Sequence, residues 1–376
     1  MSDTPPLSRK RAIAVWSLVA LATLLLLISS LTVWVKRQAL DTNAWTDASG
    51  KLLADDEVRG ALSIYLVNTL YSNVDVTARV RQALPPQRSG LAPVISGALR
   101  EFSERAANQL LASPRAQALW EQVNRRAHKN LIAVLNGDDV RRFSTENGTV
   151  VFDVSPLVKR LGNRLGISAK LPPDAGKITI LKADQLSAAQ NAFKAIKALT
   201  VFLVLVVLGL YALAIYLAHG HRRRIFLATA VSFALVGLLL LLVRRLTGDW
   251  IVDSLVKTDT VKPAGRTVWA IATQLLYAEG YALILYGAIG VIGAWLAGPS
   301  GWAVSVRRRL APTFRDHPGE TGTVVAFAYL LFILWSPTAA TRQIAGILVL
   351  GALLVLGVVM LRRQTLAEFP AGRAPG

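Results

Sequence analysis

Five uncharged runs, and a sixth broken by a single glutamate, decide what this 376-residue chain can fold into. The uncharged runs cover 12–35, 198–218, 225–243, 321–341 and 343–361; the sixth, 267–297, is interrupted only by Glu279. Each matches the roughly 20 apolar residues that carry a helix across the hydrocarbon layer. Helices suit that layer because they satisfy their backbone hydrogen bonds internally. Most connections between runs are short, but residues 36–197 form one large insertion of ordinary soluble composition. The expected fold is therefore mainly α. A six-helix transmembrane bundle carries an extracytoplasmic α-helical domain, with a small β-hairpin or sheet, between spans 1 and 2.

Lysine and arginine near the span ends set the expected orientation. Residues 1–11 with Arg9, Lys10 and Arg11, the loop around His219 to Arg224, Arg307 to Arg315, and the tail 362–376 all fall on one side of a six-span path. Both termini are then cytoplasmic in a multi-pass plasma-membrane protein, and the large domain lies outside. Arg244, Arg245 and Lys257 sit on the opposite side, though Asp249, Asp253 and Asp259 share their loop. The formal net charge of +19 is explained by these clusters and by anionic head groups, so no nucleic-acid partner is expected. The absence of cysteine removes disulfides, thiolate metal sites and thiol nucleophiles.

Within 36–197, three apolar stripes recur at helical spacing. They are Leu62, Tyr65, Leu66 and Leu70; Leu91, Val94, Ile95, Leu99 and Phe102; and Leu119, Trp120, Val123, Leu131 and Val134. Each has the width of one face turned into a bundle. Asn147-Gly148, flanked by β-branched and aromatic residues, gives a hairpin signal, and Lys177 to Leu181 offers another strand. Neither glycine nor proline occurs from 183 to 208, which predicts one helix leaving the domain and running through span 2. The same absence from 12 to 49 predicts an outward extension of span 1. Leu246, Trp250, Ile251 and Leu255 share a helical face that suits a short helix lying in the interface.

Candidate sites are few. Glu279 lies a dozen residues into the run 267–297, the fourth in chain order, where an ionised carboxylate is costly and invites a functional role; Tyr286, two turns on, could bond it. Gly290, Ala294 and Gly298 form part of a small-residue stripe expected to let helices approach closely. His219 and His221 stand two apart but precede three arginines, which fits a solvated loop better than a metal site. His128 has no recognisable serine partner, Asp55 to Glu57 suit a helix start, and Asp138-Asp139 follow a turn. No catalytic residue, metal or cofactor is expected.

Several stretches together carry a resemblance. They include Asp55-Asp-Glu-Val-Arg59, Tyr65-Leu-Val-Asn-Thr-Leu-Tyr71, Asn124-Arg125 with His128, and Leu296-Ala-Gly-Pro299. Arg308-Arg-Leu-Ala-Pro312, Arg362-Arg-Gln-Thr365 and Glu368-Phe-Pro370 complete the set. The chain resembles a group of uncharacterised actinobacterial integral membrane proteins with no assigned activity. The resemblance implies architecture and location only. The function expected is a non-enzymatic sensor or scaffold of the bacterial envelope, its outer domain binding a protein or envelope component, its other neighbour being the lipid bilayer. The alternatives are a proton-coupled transporter using Glu279, or a membrane enzyme using cytoplasmic arginines.

Overall fold

The computed structural model describes residues 8–138, 145–146, 149–153, 177–181, 183–256, 258–342 and 344–370. Among them are thirteen α-helices and three short strands. Six helices are long and apolar enough to cross a membrane. They are α1 (Arg9–Ala39), α7 (Ala183–Leu217), α8 (Arg222–Leu255), α10 (Gln274–Leu296), α12 (Pro318–Trp335) and α13 (Ile344–Glu368). The chain divides into a membrane unit (Met1–Trp34, Thr200–Leu246 and Gln274–Gly376) and a second unit (Val35–Leu199 and Thr247–Thr273).

The core of the membrane unit is small and apolar. Val15, Val19, Ala22 and Leu26 of α1 are buried with Val207, Tyr211 and Ala214 of α7 and Val236 and Leu240 of α8. The Tyr211 hydroxyl bonds the Thr23 hydroxyl at 3.0 Å, so the ring's polar end is satisfied inside the bundle. Close backbone approach joins α8 to α10. A Cβ placed on Gly237 would stand 2.5 Å from the Gly280 carbonyl oxygen, and one on Gly287 would stand 2.6 Å from the Ala234 nitrogen. By contrast, α12 and α13 bury none of their most apolar window. Leu330, Leu334, Leu348 and Leu353 are left outward for acyl chains. The Tyr329 hydroxyl donates to the Ile347 carbonyl and so pins these two helices together.

The second unit is built from α2 (Thr42–Ala54), α3 (Asp56–Asn73), α4 (Val76–Ala83), α5 (Ala92–Ala112) and α6 (Pro114–Asn136), with α9 (Lys262–Ala272) added from much later in the sequence. Its helix starts are written in the sequence. Asp41, Asp55, Asp75 and Ser113 each cap the helix that follows, accepting from backbone N–H groups of its first turn. Gly137, at φ 88°, ends α6 in the left-handed conformation that glycine adopts without strain. His128 of α6 is buried and stacks on Trp45 at 5.0 Å between ring centroids. Its Nε2 lies 3.0 Å from the Ala39 carbonyl, which makes Nε2 the donor, and its Nδ1 then accepts from the Thr42 hydroxyl at 3.1 Å. One imidazole thus ties the end of α1 to the start of α2. Replacing His128 by leucine removes both hydrogen bonds of the buried imidazole, at about 0.5–1.5 kcal/mol each. Amide hydrogen exchange over 40–54 should accelerate as a result; unchanged protection there would refute this role.

Three short strands complete the second unit. β2 (Thr149–Asp153) pairs antiparallel with β1 (Thr145–Glu146) and with β3 (Lys177–Leu181). Thr145 stands opposite Val150 and Phe152 opposite Ile178. Asn147-Gly148 lies outside the described residues, as does Asp139.

The expected fold class needs correction. The helices of this unit pack on one another, and the strands make their main contacts among themselves. The body is therefore helical, not a domain built with a β-sheet. Nor is it one insertion between spans 1 and 2, because α9 packs on α2 and α3.

Three further expectations fail for physical reasons. α1 does not extend to residue 49 but stops at Ala39, because Asp41 starts a new helix and His128 claims the last carbonyl. The segment 246–255 is no separate interfacial helix but the continuation of α8. Gly248 is tolerated within it because the Trp269 indole occupies the place of a Cβ, 2.6 Å from Cδ1. The fourth run is not one helix. Residues 267–272 belong to α9, Thr273 breaks the helix, and the span begins at Gln274. The gap of glycine and proline after 183 does produce one unbroken helix, α7, from Ala183 to Leu217. Gln190 of α7 donates to the Val134 carbonyl of α6 at 2.8 Å, and Phe193 is buried.

Candidate functional site

In the second unit the packing of α3 on α5 runs opposite to the apolar pattern of both helices. The residues turned inward are small or polar: Ser63 and Val67 from α3, Ala92 and Ser96 from α5. Polar side chains clamp the pair. Arg59 donates through Nε to Asn108 at 3.0 Å, Arg100 bonds Asn68, and Ser96 meets Thr77 of α4 at 2.9 Å. The stripes expected to form the bundle interior face outward. Val94 is 70 % exposed, Tyr65 and Phe102 66 %, and Leu70 57 %. Leu66, Leu91, Ile95 and Leu99 are exposed with them. Isolated exposed apolar side chains mean little, but whole helical stripes of them mark an interaction surface. Periodicity revealed these stripes; it carried no information about which face of the helix the neighbours would cover.

A shallow polar cleft between α2 and α6 is lined by Asn43, Asp47, Gly50, Lys51, Glu121 and Arg125. Its charges are largely internal: Lys51 pairs with Asp47 at 2.7 Å, and Arg125 donates to Asn43 at 2.7 Å. At the other edge of the unit, Lys262 bridges Asp253 at 3.3 Å and Asp259 at 2.9 Å. The hydrogen bond from Lys262 and its charge lower the Asp259 pKa, and the two carboxylates raise that of Lys262. Asp259 is fully exposed to solvent, so salt screens the effect.

Among the described residues, the membrane unit has its fully buried charge at one locus that sequence reasoning did not single out. Arg307 of α11 (Gly301–Asp316) is 2 % exposed. Its guanidinium makes a bidentate pair with Glu368, Nε to Oε2 at 2.8 Å and Nη2 to Oε1 at 3.0 Å. Nη1 donates to the carbonyls of Leu296 and Gly298. Around it, Arg362 donates to the Phe314 carbonyl at 3.0 Å, Gln364 to the Ala297 carbonyl at 3.1 Å, and Arg315 to the Phe369 carbonyl. The carbonyls at helix ends have no intrahelical donors, and these side chains supply them. Four of the motif stretches, near 296–299, 308–312, 362–365 and 368–370, meet here. The locus is a structural latch.

The residues singled out from sequence are placed as follows. Glu279 is half-buried in the second turn of α10, not a dozen residues deep, because the helix starts at Gln274. It is engaged in an interaction of its own. The Tyr286 hydroxyl pairs with the Thr338 hydroxyl at 2.6 Å. Gly290 faces Ala230, where an added Cβ would stand 2.8 Å from Ala230 Cβ. Ala294 is buried, and its carbonyl accepts from Arg223 Nε at 2.8 Å. Gly298 lies against Arg223 and the Trp295 carbonyl. Gly293 meets nothing within 4 Å and so has no part in the close approach, whereas Gly237 and Gly280 carry it without having been picked out. Asp55 is a helix cap, accepting from the N–H groups of Glu57 and Val58. His219 contacts Arg11 and Arg222.

No protein family, curated protein or solved structure matches the chain. The resemblance to actinobacterial membrane proteins gains no support from them, and the class defined by the structure is a multi-pass α-helical membrane protein with a sizeable non-membrane region.

Proposed function

We propose that the chain is a non-enzymatic scaffold or sensor of a bacterial envelope, with both termini cytoplasmic and the helical unit outside the plasma membrane. Its partner is a protein that covers the outward stripes of α3 and α5. The carrying observation is the inversion of that helix pair, in which polar groups hold the helices together and aromatic and aliphatic side chains are left outward. Each large apolar side chain fully buried by a partner contributes about 1.5–3 kcal/mol. A handful of such anchors therefore suffices for a specific complex. The transporter reading is disfavoured by the tight seam beside Glu279, where Gly280 packs on Gly237.

The test is crosslinking in membranes followed by purification of the full chain, with Tyr65 and Phe102 each replaced by glutamate. Both positions are exposed, so folding and expression should be preserved while the crosslinked partner is lost. Recovery of the same partner by the double variant would end this reading.

A further inference from the structure

We propose that the turn between α7 and α8 is a phosphate-binding site formed by Arg11, His219 and Arg222, and that its ligand is the phosphate of an anionic phospholipid head group. The evidence is a surplus of donors. Arg11 Nη2 lies 3.3 Å from His219 Nδ1, and Arg222 Nη2 lies 3.0 Å from His219 Nε2. A guanidinium carries donors only, and a neutral imidazole offers one acceptor nitrogen and one N–H. Whichever tautomer the ring adopts, one arginine faces an N–H; a protonated ring turns donors toward both. Neither guanidinium has a carboxylate partner among the described residues. Two exposed guanidinium groups thus flank the two nitrogens of one imidazole, with donors in excess of acceptors.

Two backbone features add to the same spot. α8 begins at Arg222, and the first helical bonds there run from Arg224 and Ile225 to the His221 carbonyl. The N–H groups of Arg222 and Arg223 are left without helical acceptors and point out of the helix start, as in other anion-binding helix termini. α1 begins at Arg9, which places Arg11 in its own first turn. Gly220, at φ 79°, makes the reversal that brings His219 back toward Arg222, and Tyr216 holds the imidazole edge-on at 5.4 Å. In the same turn, His221 Nδ1 is buried with no hydrogen-bond partner.

A tetrahedral phosphate accepts from two forked guanidinium groups and from backbone N–H groups at once. The level in the bilayer favours the lipid as its source. The uncharged runs 12–35, 198–218 and 225–243 start or stop within three residues of these side chains, which puts them at the edge of the hydrocarbon where head groups lie.

The experiment uses the full chain in phosphatidylcholine nanodiscs, alone, with phosphatidylglycerol added, or with inorganic phosphate. Retained lipid is read by native mass spectrometry and stability by thermal melting. The parent should retain phosphatidylglycerol and melt higher with it. R11K/R222K keeps every positive charge, and so the orientation signals, but loses the forks; it should retain lipid about tenfold less well. R309Q, which alters an exposed arginine elsewhere, should behave as the parent does. Stabilisation of the parent by inorganic phosphate and not by phosphatidylglycerol, lost in R11K/R222K, would keep the phosphate site and overturn the lipid as its ligand. Equal responses of the parent and R11K/R222K would mean diffuse surface charge and overturn the site itself.

Discussion

Arg307→Ala should destabilise the membrane unit by about 3–5 kcal/mol, the usual effect of removing one partner from a buried ion pair. The loss has three parts. Glu368 keeps a charge with no counterion, the Leu296 and Gly298 carbonyls lose their donor, and α11 loses one of its ties to α13. Lysine should not rescue the site, because a single ammonium cannot make a bidentate pair while also reaching two carbonyls. Arg308→Ala is the control. That side chain is exposed and lies 5.7 Å over the Phe369 ring, so its removal should cost less than 1 kcal/mol or about that. Thermal melting of detergent-solubilised protein distinguishes the two. Equal melting temperatures for both variants would show that the latch contributes nothing.

Gly287→Leu should separate α8 from α10. Even the first added carbon would meet the Ala234 nitrogen at 2.6 Å and the Ala230 carbonyl oxygen at 2.7 Å. Backbone atoms cannot rotate away as a side chain can, so the helices must move apart. Overpacking by one or two methylenes costs about 1–3 kcal/mol, and leucine at a backbone contact belongs at or above the top of that range. Gly293→Ala provides the contrast on the same helix. Nothing lies within 4 Å of its Cβ position, and alanine is favoured over glycine in a helix by about 0.5–1 kcal/mol. One glycine substitution should therefore lower the melting temperature and the other leave it equal or higher. The seam is misplaced if Gly287→Leu melts with the parent.

The spans were legible because hydropathy reports directly on what lipid tolerates. Their limits were less so, because an apolar run does not reveal what covers it. Residues 267–272 read as part of span 4, yet they form α9, whose Trp269 packs on Gly248. The end of α1 did have a signal. Asp41, three residues before Ala44, is a helix-capping pattern that outweighs the lack of glycine and proline. Arg307 could not be told from Arg308 and Arg309, since three adjacent arginines after a span all serve orientation equally well. Only the turn of α11 decides that one of them faces inward. The stripes on α3 and α5 were visible, but amphipathic spacing defines an apolar face without stating whether the chain itself buries it. The hairpin signal at Asn147-Gly148 predicted local pairing and overstated its place in a body made of helices.

The latch around Arg307 also orders events during synthesis. Its carbonyl acceptors at 296 and 298 leave the ribosome before the arginine, but Glu368 follows 61 residues after it. Until α13 is complete, the guanidinium has no carboxylate and α11 has nothing to bind at that face. A nascent chain in this condition presents an unneutralised cation beside apolar helices. Closure of the pair marks the point at which the last span has arrived in register. A chain stalled or mis-threaded in its final helix is thereby distinguishable from a finished one.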